Sequence, residues 1–174
     1  SSGDSILGVR TPEATFLNMN DSVAHHAPTL NLLRKHLDGV DVDVVMTQFS
    51  YANWEGNPDD VERRRRVAAL KLDAMVAQTQ AREPRYVIPF ASFVYFCHEE
   101  NHYLNDEANR VGDAVAVLRD RTDAEPVVLY PGDTWTFGDE HDDAAAIERY
   151  DADVAAVLGA GAWGTALSIA FAGK

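Results

Sequence analysis

The chain has 174 residues, of which 46% are hydrophobic and 25% charged, and its formal net charge is −13. These values are ordinary for one soluble globular domain with a real core. The negative charge argues against nucleic acid or an anionic membrane as a partner, because nothing in the chain would offset repulsion from phosphates. No apolar run reaches the roughly 18 residues of a membrane span.

Alternating apolar stretches and helical patterns predict an α/β fold in which helices pack against a sheet. The predicted strands cover residues 5–12, 13–20, 40–48, 86–89 and 127–130. The predicted helices cover residues 28–39, 59–82, 105–119 and 142–150. Residues 131–133, Pro-Gly-Asp, predict a turn.

Cys97 is the single cysteine, and it follows aromatic residues in an apolar run. One cysteine cannot form an internal disulfide, so we expect a reducing, cytoplasmic location. Its apolar neighbours predict a buried, unreactive thiol. The chain begins Ser-Ser-Gly-Asp and ends after an apolar helical pattern, so we expect a fragment or a processed product.

The stretch PFASFVYFCHEENHYLN, residues 89–105, changes from apolar to metal-competent side chains at His98. The upstream segment FLNMND has the same form and ends in Asp21. A strand that ends in such side chains is a common way to build a site at a sheet edge. A bridging carboxylate and one imidazole would make half of a dinuclear site. The alternative is a core strand followed by a solvated acidic turn.

Three segments occur in an order that resembles the C-terminal half of metallo-β-lactamase-fold metallohydrolases: FLNMND, DVVMTQFSYANW and PRYVIPFASFVYFCHEEN. The resemblance covers roughly residues 6–150 and is nearest to the lactonase-like and CMP-N-acetylneuraminate hydroxylase-like branch. It implies a partial αββα sandwich, one sheet with its helices, in a domain of residues 1–152. It also implies zinc or another divalent metal in a dinuclear site, bridged by Asp21 and bound by His98.

The activity that this resemblance implies is hydrolysis, in which metal-activated water attacks an ester, lactone, amide or phosphodiester of a small-molecule substrate. The family's first metal motif, His-x-His-x-Asp-His, does not occur in the sequence and would lie upstream of residue 1. We therefore expect this chain alone to bind metal weakly and to be inactive. His25 and His26 are alternative ligands, but adjacent residues point apart. Asp133 follows His98, which is the wrong order for a bridging aspartate.

Gln48, Ser50 and Trp54 lie in the segment QFSYANW, which is predicted to be a loop after a sheet strand. In a functional interpretation these three side chains line the substrate pocket. In the alternative they belong to a loop that is anchored by one buried tryptophan. Glu99 and Glu100 are predicted either to orient the His98 ring through a hydrogen bond or to be solvated.

Residues 153–174, DVAAVLGAGAWGTALSIAFAGK, are predicted to form a separate, truncated β-turn-α unit. A predicted strand at 154–158 precedes Gly159, Gly161 and Gly164, which give the G-x-G-x-x-G pattern of dinucleotide sites. The string VLGAGAWGTAL resembles the glycine turn of NAD(P)-dependent glycerol-3-phosphate dehydrogenase. We do not expect NAD(P) binding by this chain, because the acidic residue for the ribose would fall beyond its last residue.

Two origins of this tail stay open: a junction between unrelated coding segments, or a Gly/Ala-rich helix that packs on the body. Three functions also stay open for the whole chain. The first is part of a metal-dependent hydrolase, and the second is a non-catalytic metallohydrolase-like interaction module. The third is a dehydrogenase fragment, which depends on the tail alone. The sequence does not indicate the oligomeric state.

Overall fold

A five-stranded sheet lies at the centre of the computed structural model, which describes residues 5–20, 22 and 26–161. Its strands are β1 (Leu7–Arg10), β2 (Thr15–Asn20), β3 (Val44–Thr47), β4 (Tyr86–Pro89) and β5 (Glu125–Pro126). They are arranged in sequence order, with β1 antiparallel to β2 and the strands from β2 to β5 parallel. The fold is therefore mixed α/β, as the alternation of patterns predicts.

Four α-helices occur in the described residues: α1 (Ala27–His36), α2 (Val61–Arg82), α3 (Val111–Arg121) and α4 (Asp143–Ala160). Local chemistry sets their ends. Pro28 occupies the first turn of α1, where its missing N–H costs nothing. The Asp142 carboxylate caps α4 by accepting a hydrogen bond from the backbone of Ala145 at 3.2 Å. Glu83 ends α2 in a left-handed conformation, directly before Pro84.

The alternation of side chains along the strands divides the core into two clusters, one on each side of the sheet. Val45 and Val87 are register partners and belong to a cluster that includes residues of all four of these helices. Leu118 of α3, for example, is fully buried in it. We call this side of the sheet the helix face.

The opposite side carries Val44 and Tyr86, which are also register partners. The cluster there contains no helical residue among those that the structure describes. Trp135 and Phe137, from the loop after β5, lie edge-on against the Tyr86 ring at centroid distances of 4.9 and 5.6 Å. We call this side the aromatic face.

Two strand predictions need correction. Residues 127–130 do not form the predicted strand, because β5 pairs two residues earlier, at Glu125–Pro126. Residues 154–158 are helical, because the alanine-rich sequence around them continues α4 to Ala160. The predicted turn at 131–133 is confirmed by a backbone hydrogen bond from Asp133 to Tyr130 at 2.8 Å.

The apolar run at 90–97 follows β4 but is not a strand. Ala91 has a φ of +58°, which turns the chain out of the sheet directly after β4. His98 therefore lies in a loop nine residues beyond the strand and not at a strand end, as predicted.

Candidate functional site

The ends of β2, β3 and β4 form one edge of the sheet, because these strands are parallel neighbours. Asn20, Thr47 and Pro89 lie in one row of the register, so the chain leaves all three strands side by side. Strands lie about 4.8 Å apart, which puts Asn20 about 10 Å from Pro89. This carboxyl edge is where α/β sheets commonly carry their sites.

Asp21, the predicted bridging ligand, directly follows Asn20 and lies outside the described residues. Asn20 has a φ of +48°, a left-handed conformation that asparagine tolerates better than most residues. Its backbone N–H donates to Oδ1 of Asn18 at 2.9 Å. The strand thus ends sharply at the residue before Asp21.

Gln78 of α2 links the ends of β2 and β3 beside this position. Its Oε1 accepts a hydrogen bond from the Thr47 hydroxyl, and its Nε2 lies 3.5 Å from the backbone oxygen of Ser22. The Gln78 side chain is buried, and the Ser22 Oγ is buried without a hydrogen-bond partner. The sequence does not identify Gln78 as a residue of this edge. A glutamine within a long helical pattern gives no sign of which groups its side-chain amide contacts.

The loop that carries His98 is held by a buried asparagine. Oδ1 of Asn105 accepts from the Phe96 backbone at 2.9 Å, and Nδ2 donates to the carbonyls of Phe96 and His102 at 2.8 Å each. The Tyr51 hydroxyl donates to the carbonyl of Leu104 at 2.6 Å. Burial raises the pKa of Tyr51 to about 12, so the phenol stays protonated at neutral pH.

The His98 ring is half exposed and faces its own loop. Nδ1 of His98 accepts a hydrogen bond from the Glu100 backbone at 3.2 Å and lies 3.9 Å from Oε2 of Glu100. An acceptor Nδ1 places the ring proton of a neutral imidazole on Nε2. The Glu100 carboxylate is 89% exposed and too far from the ring for a hydrogen bond, and Glu99 is exposed as well, so the orienting role of both residues stays a prediction.

The predicted pocket residues Gln48, Ser50 and Trp54 differ in their surroundings. Gln48 accepts a hydrogen bond from the Lys71 ammonium at 2.8 Å. Ser50 is buried, and its hydroxyl accepts from the backbone of Asn109 at 3.0 Å, which is a structural role. Trp54 is 55% exposed, so the alternative of a loop anchored by a buried tryptophan is wrong.

Trp54 instead lies on the surface beneath the guanidinium of Arg63, 5.2 Å from its ring centroid. Cys97 is exposed as well, which corrects the prediction of a buried thiol. The chain leaves the sheet after β4, and in this run Phe96 is buried against Tyr51 and Leu104 whereas the Cys97 side chain faces solvent.

The glycine pattern lacks the strand that a dinucleotide site requires. Gly159 lies in the last turn of α4, and Gly161, with a φ of +77°, follows the end of the helix. Gly164 lies outside the described residues.

Three broader observations complete the description of the site. Within residues 5–20, 22 and 26–161, no three His, Cys, Asp or Glu side chains lie close enough together to hold a metal ion. No helix in that part of the chain is long and apolar enough to cross a bilayer. No protein-family model, curated protein or solved structure matches the chain.

Proposed function

We propose that this chain is the C-terminal part of a metal-dependent hydrolase with the metallo-β-lactamase fold. In this proposal Asp21 and His98 are metal ligands of the intact protein, and the metal is zinc or another divalent cation. The metal, when bound, supplies an activated water for hydrolysis of an ester, lactone, amide or phosphodiester. A small-molecule substrate is the expected partner.

The observation that carries the proposal is the shared carboxyl edge of β2 and β4. Asn20 and Pro89 lie in one register row with Thr47 between them. The segments that contain Asp21 and His98 therefore begin at the same end of the sheet. The loop from 91 to 105 stays near this end, since Ser92 and Tyr103 bond to the loop that follows β3.

The two unequal faces of the sheet support a half-sandwich. In an αββα sandwich each sheet has helices on one side and a second sheet on the other. All four described helices contribute to the helix face, whereas Phe16, Met46 and Phe90 remain partly exposed on the aromatic face. An apolar sheet face without helices is what such a half would present.

The described residues fit a metal only in part. His98 offers one imidazole, but its Nδ1 accepts a hydrogen bond from the Glu100 backbone N–H, so Nε2 would bind a metal only after the ring proton moves to Nδ1 and that hydrogen bond is lost. A catalytic zinc takes three protein ligands, however, and the described residues do not bring three together. We therefore assign ligand roles to Asp21 and His98 and derive no catalytic step.

Zinc titration of the purified chain by calorimetry tests the ligand assignment. We expect weak binding that Asp21→Ala and His98→Ala each reduce by at least about tenfold, since even outer partners of a ligand contribute that much to affinity. His36→Ala is the matched control, because His36 is an exposed histidine in α1. Equal zinc affinity in the wild type, both ligand variants and the control would show that the assignment is wrong.

A further inference from the structure

A cleft of about 250 Å³ lies between residues 92–95 and helix α4, on the side of the helix face. The Phe93 ring stacks on Tyr150 with centroids 4.1 Å apart and meets Phe49 edge-on at 5.3 Å. None of the described residues that the sequence assigns to a site lines this cleft. The cleft adjoins the carboxyl edge, since Phe49 and Ser92 follow β3 and β4, but it involves different side chains.

The walls of the cleft are fixed by buried hydrogen bonds. The Ser92 hydroxyl accepts from the backbone of Phe49 and Ser50 at 3.0 and 2.9 Å, which holds the loop that carries Phe93. The Tyr150 hydroxyl donates to the carbonyl of Leu129 at 2.8 Å. A cleft whose walls are fixed before binding costs a ligand little ordering entropy.

Apolar surface is concentrated at this cleft. Nine large apolar side chains are exposed in the described part of the chain, and three of them line the cleft: Phe93 at 45%, Val94 at 37% and Val157 at 41%. One face of Phe93 is stacked on Tyr150, so its exposed surface faces away from that ring. Apolar surface gathered in a concavity typically marks a place where a ligand binds.

The charges around the cleft favour a cation. Asp151 and Asp153 line it, opposed by the single guanidinium of Arg110. Asp153 accepts a hydrogen bond from the Tyr130 hydroxyl at 2.6 Å, whereas the Asp151 carboxylate has no ion-pair partner among the described residues. The net charge of −13 adds a field that attracts cations. Aromatic faces bind organic cations as well.

We propose that this cleft binds a small organic cation with an apolar body, such as an aromatic or quaternary amine. The hydrocarbon part lies against Phe93 and Val157, and the positive charge lies toward Asp151. This binding function goes beyond the proposed hydrolase and does not depend on it.

Three probes with the same benzyl body and different charges test the proposal: benzyltrimethylammonium, benzyl alcohol and phenylmethanesulfonate. We expect the ammonium to bind most tightly and the sulfonate least in NMR titrations of the whole chain. Asp151→Asn and Phe93→Ala should each weaken ammonium binding about two- to fivefold, the range expected for an exposed ion pair and an exposed cation–aromatic contact. Arg110→Gln should strengthen it, because that change removes the opposing charge.

Phe93→Leu keeps apolar bulk without the aromatic face, so it should reduce ammonium binding more than benzyl alcohol binding. Two matched controls lie outside the cleft: Asp120→Asn removes an exposed acid of α3, and Trp54→Ala removes an exposed aromatic ring. Tighter binding of the sulfonate, or no binding of any probe, would overturn the proposal. So would an equal loss of ammonium binding in the two controls, which would indicate only the general field of an acidic protein.

Discussion

The two faces of the sheet differ in what covers them, although the same strands supply both. On the helix face, Leu17 and Met19 of β2 are 2% and 0% exposed beneath helical side chains. On the aromatic face, Phe16 of the same strand remains partly exposed, and its aromatic neighbour is Phe137 at 6.5 Å. Strand sequence alone does not decide burial. What packs against each face decides it.

This difference separates what stabilises the chain from what is available for contact. Burial of apolar surface contributes most where it is complete, so the helix face should account for most of the folding free energy. The aromatic face should contribute less per residue, because its side chains keep part of their contact with water. The following predictions test that division.

Leu17→Ala should have the largest effect, because it empties a fully buried position on the helix face. Leucine-to-alanine changes in cores cost roughly 2 to 5 kcal/mol, and we expect about 3 kcal/mol here. Urea unfolding measures the loss. Leu70→Ala is the control: Leu70 is 57% exposed on α2, and its truncation should cost under about 0.5 kcal/mol.

Phe16→Ala changes the neighbouring residue, on the aromatic face. Replacing a fully buried phenylalanine with alanine typically costs about 3 to 5 kcal/mol of folding free energy. The Phe16 ring is partly exposed, so we expect a cost of only about 1 to 1.5 kcal/mol. The same urea measurement compares it with Leu17→Ala. If Phe16→Ala destabilised the chain more than Leu17→Ala, the aromatic face would be as well packed as the helix face, and the comparison would fail.

The sequence predicts much of the fold because β2, β3 and β4 combine apolar alternation with clear turn signals, and α2 has a long helical pattern. It fails at residues 154–158, where the valines favour a strand but the surrounding alanines favour a helix, and the helix of α4 continues through them. The sequence does not predict that one face is more completely buried than the other either, since both faces carry apolar residues. Gln78 and the cleft at Phe93 depend on tertiary contacts between distant segments, which one sequence does not encode locally.

The Asp143 carboxylate connects α4 to the helix face, accepting from the Val128 backbone at 2.7 Å and from Arg119 at 3.1 Å. Burial raises its pKa above the usual value, despite these donors and nearby His141. A carboxyl with a raised pKa stabilises the fold most below its unfolded pKa of 3.8, and that contribution is lost as pH rises through the folded pKa.

Asp143→Asn removes this titration and keeps an acceptor for the Val128 N–H. We expect a change of under about 1 kcal/mol at pH 7, because a neutral hydrogen bond replaces a charged one while the cost of a buried charge disappears. Relative to wild type, the variant should become more stable as pH rises from about 4 to 7 in urea titrations. If the variant instead lost stability relative to wild type over this pH range, the hydrogen-bond donors, and not burial, would determine the pKa of the Asp143 carboxyl.

The smallest effect on stability is expected at β1, one of the two edge strands of the described sheet, where Leu7 and Val9 are 59% and 46% exposed. Val9 pairs with Phe16 and therefore lies on the aromatic face, since opposite residues of an antiparallel pair share a face. The double change Leu7→Thr, Val9→Thr should alter stability by no more than about 0.5 kcal/mol, because little burial is lost and threonine suits a strand. The same change should reduce any self-association in sedimentation velocity experiments, since it makes the exposed apolar edge polar. A loss of several kcal/mol would mean that another part of the chain covers β1. The aromatic face would then be buried within the protein and not available for contact.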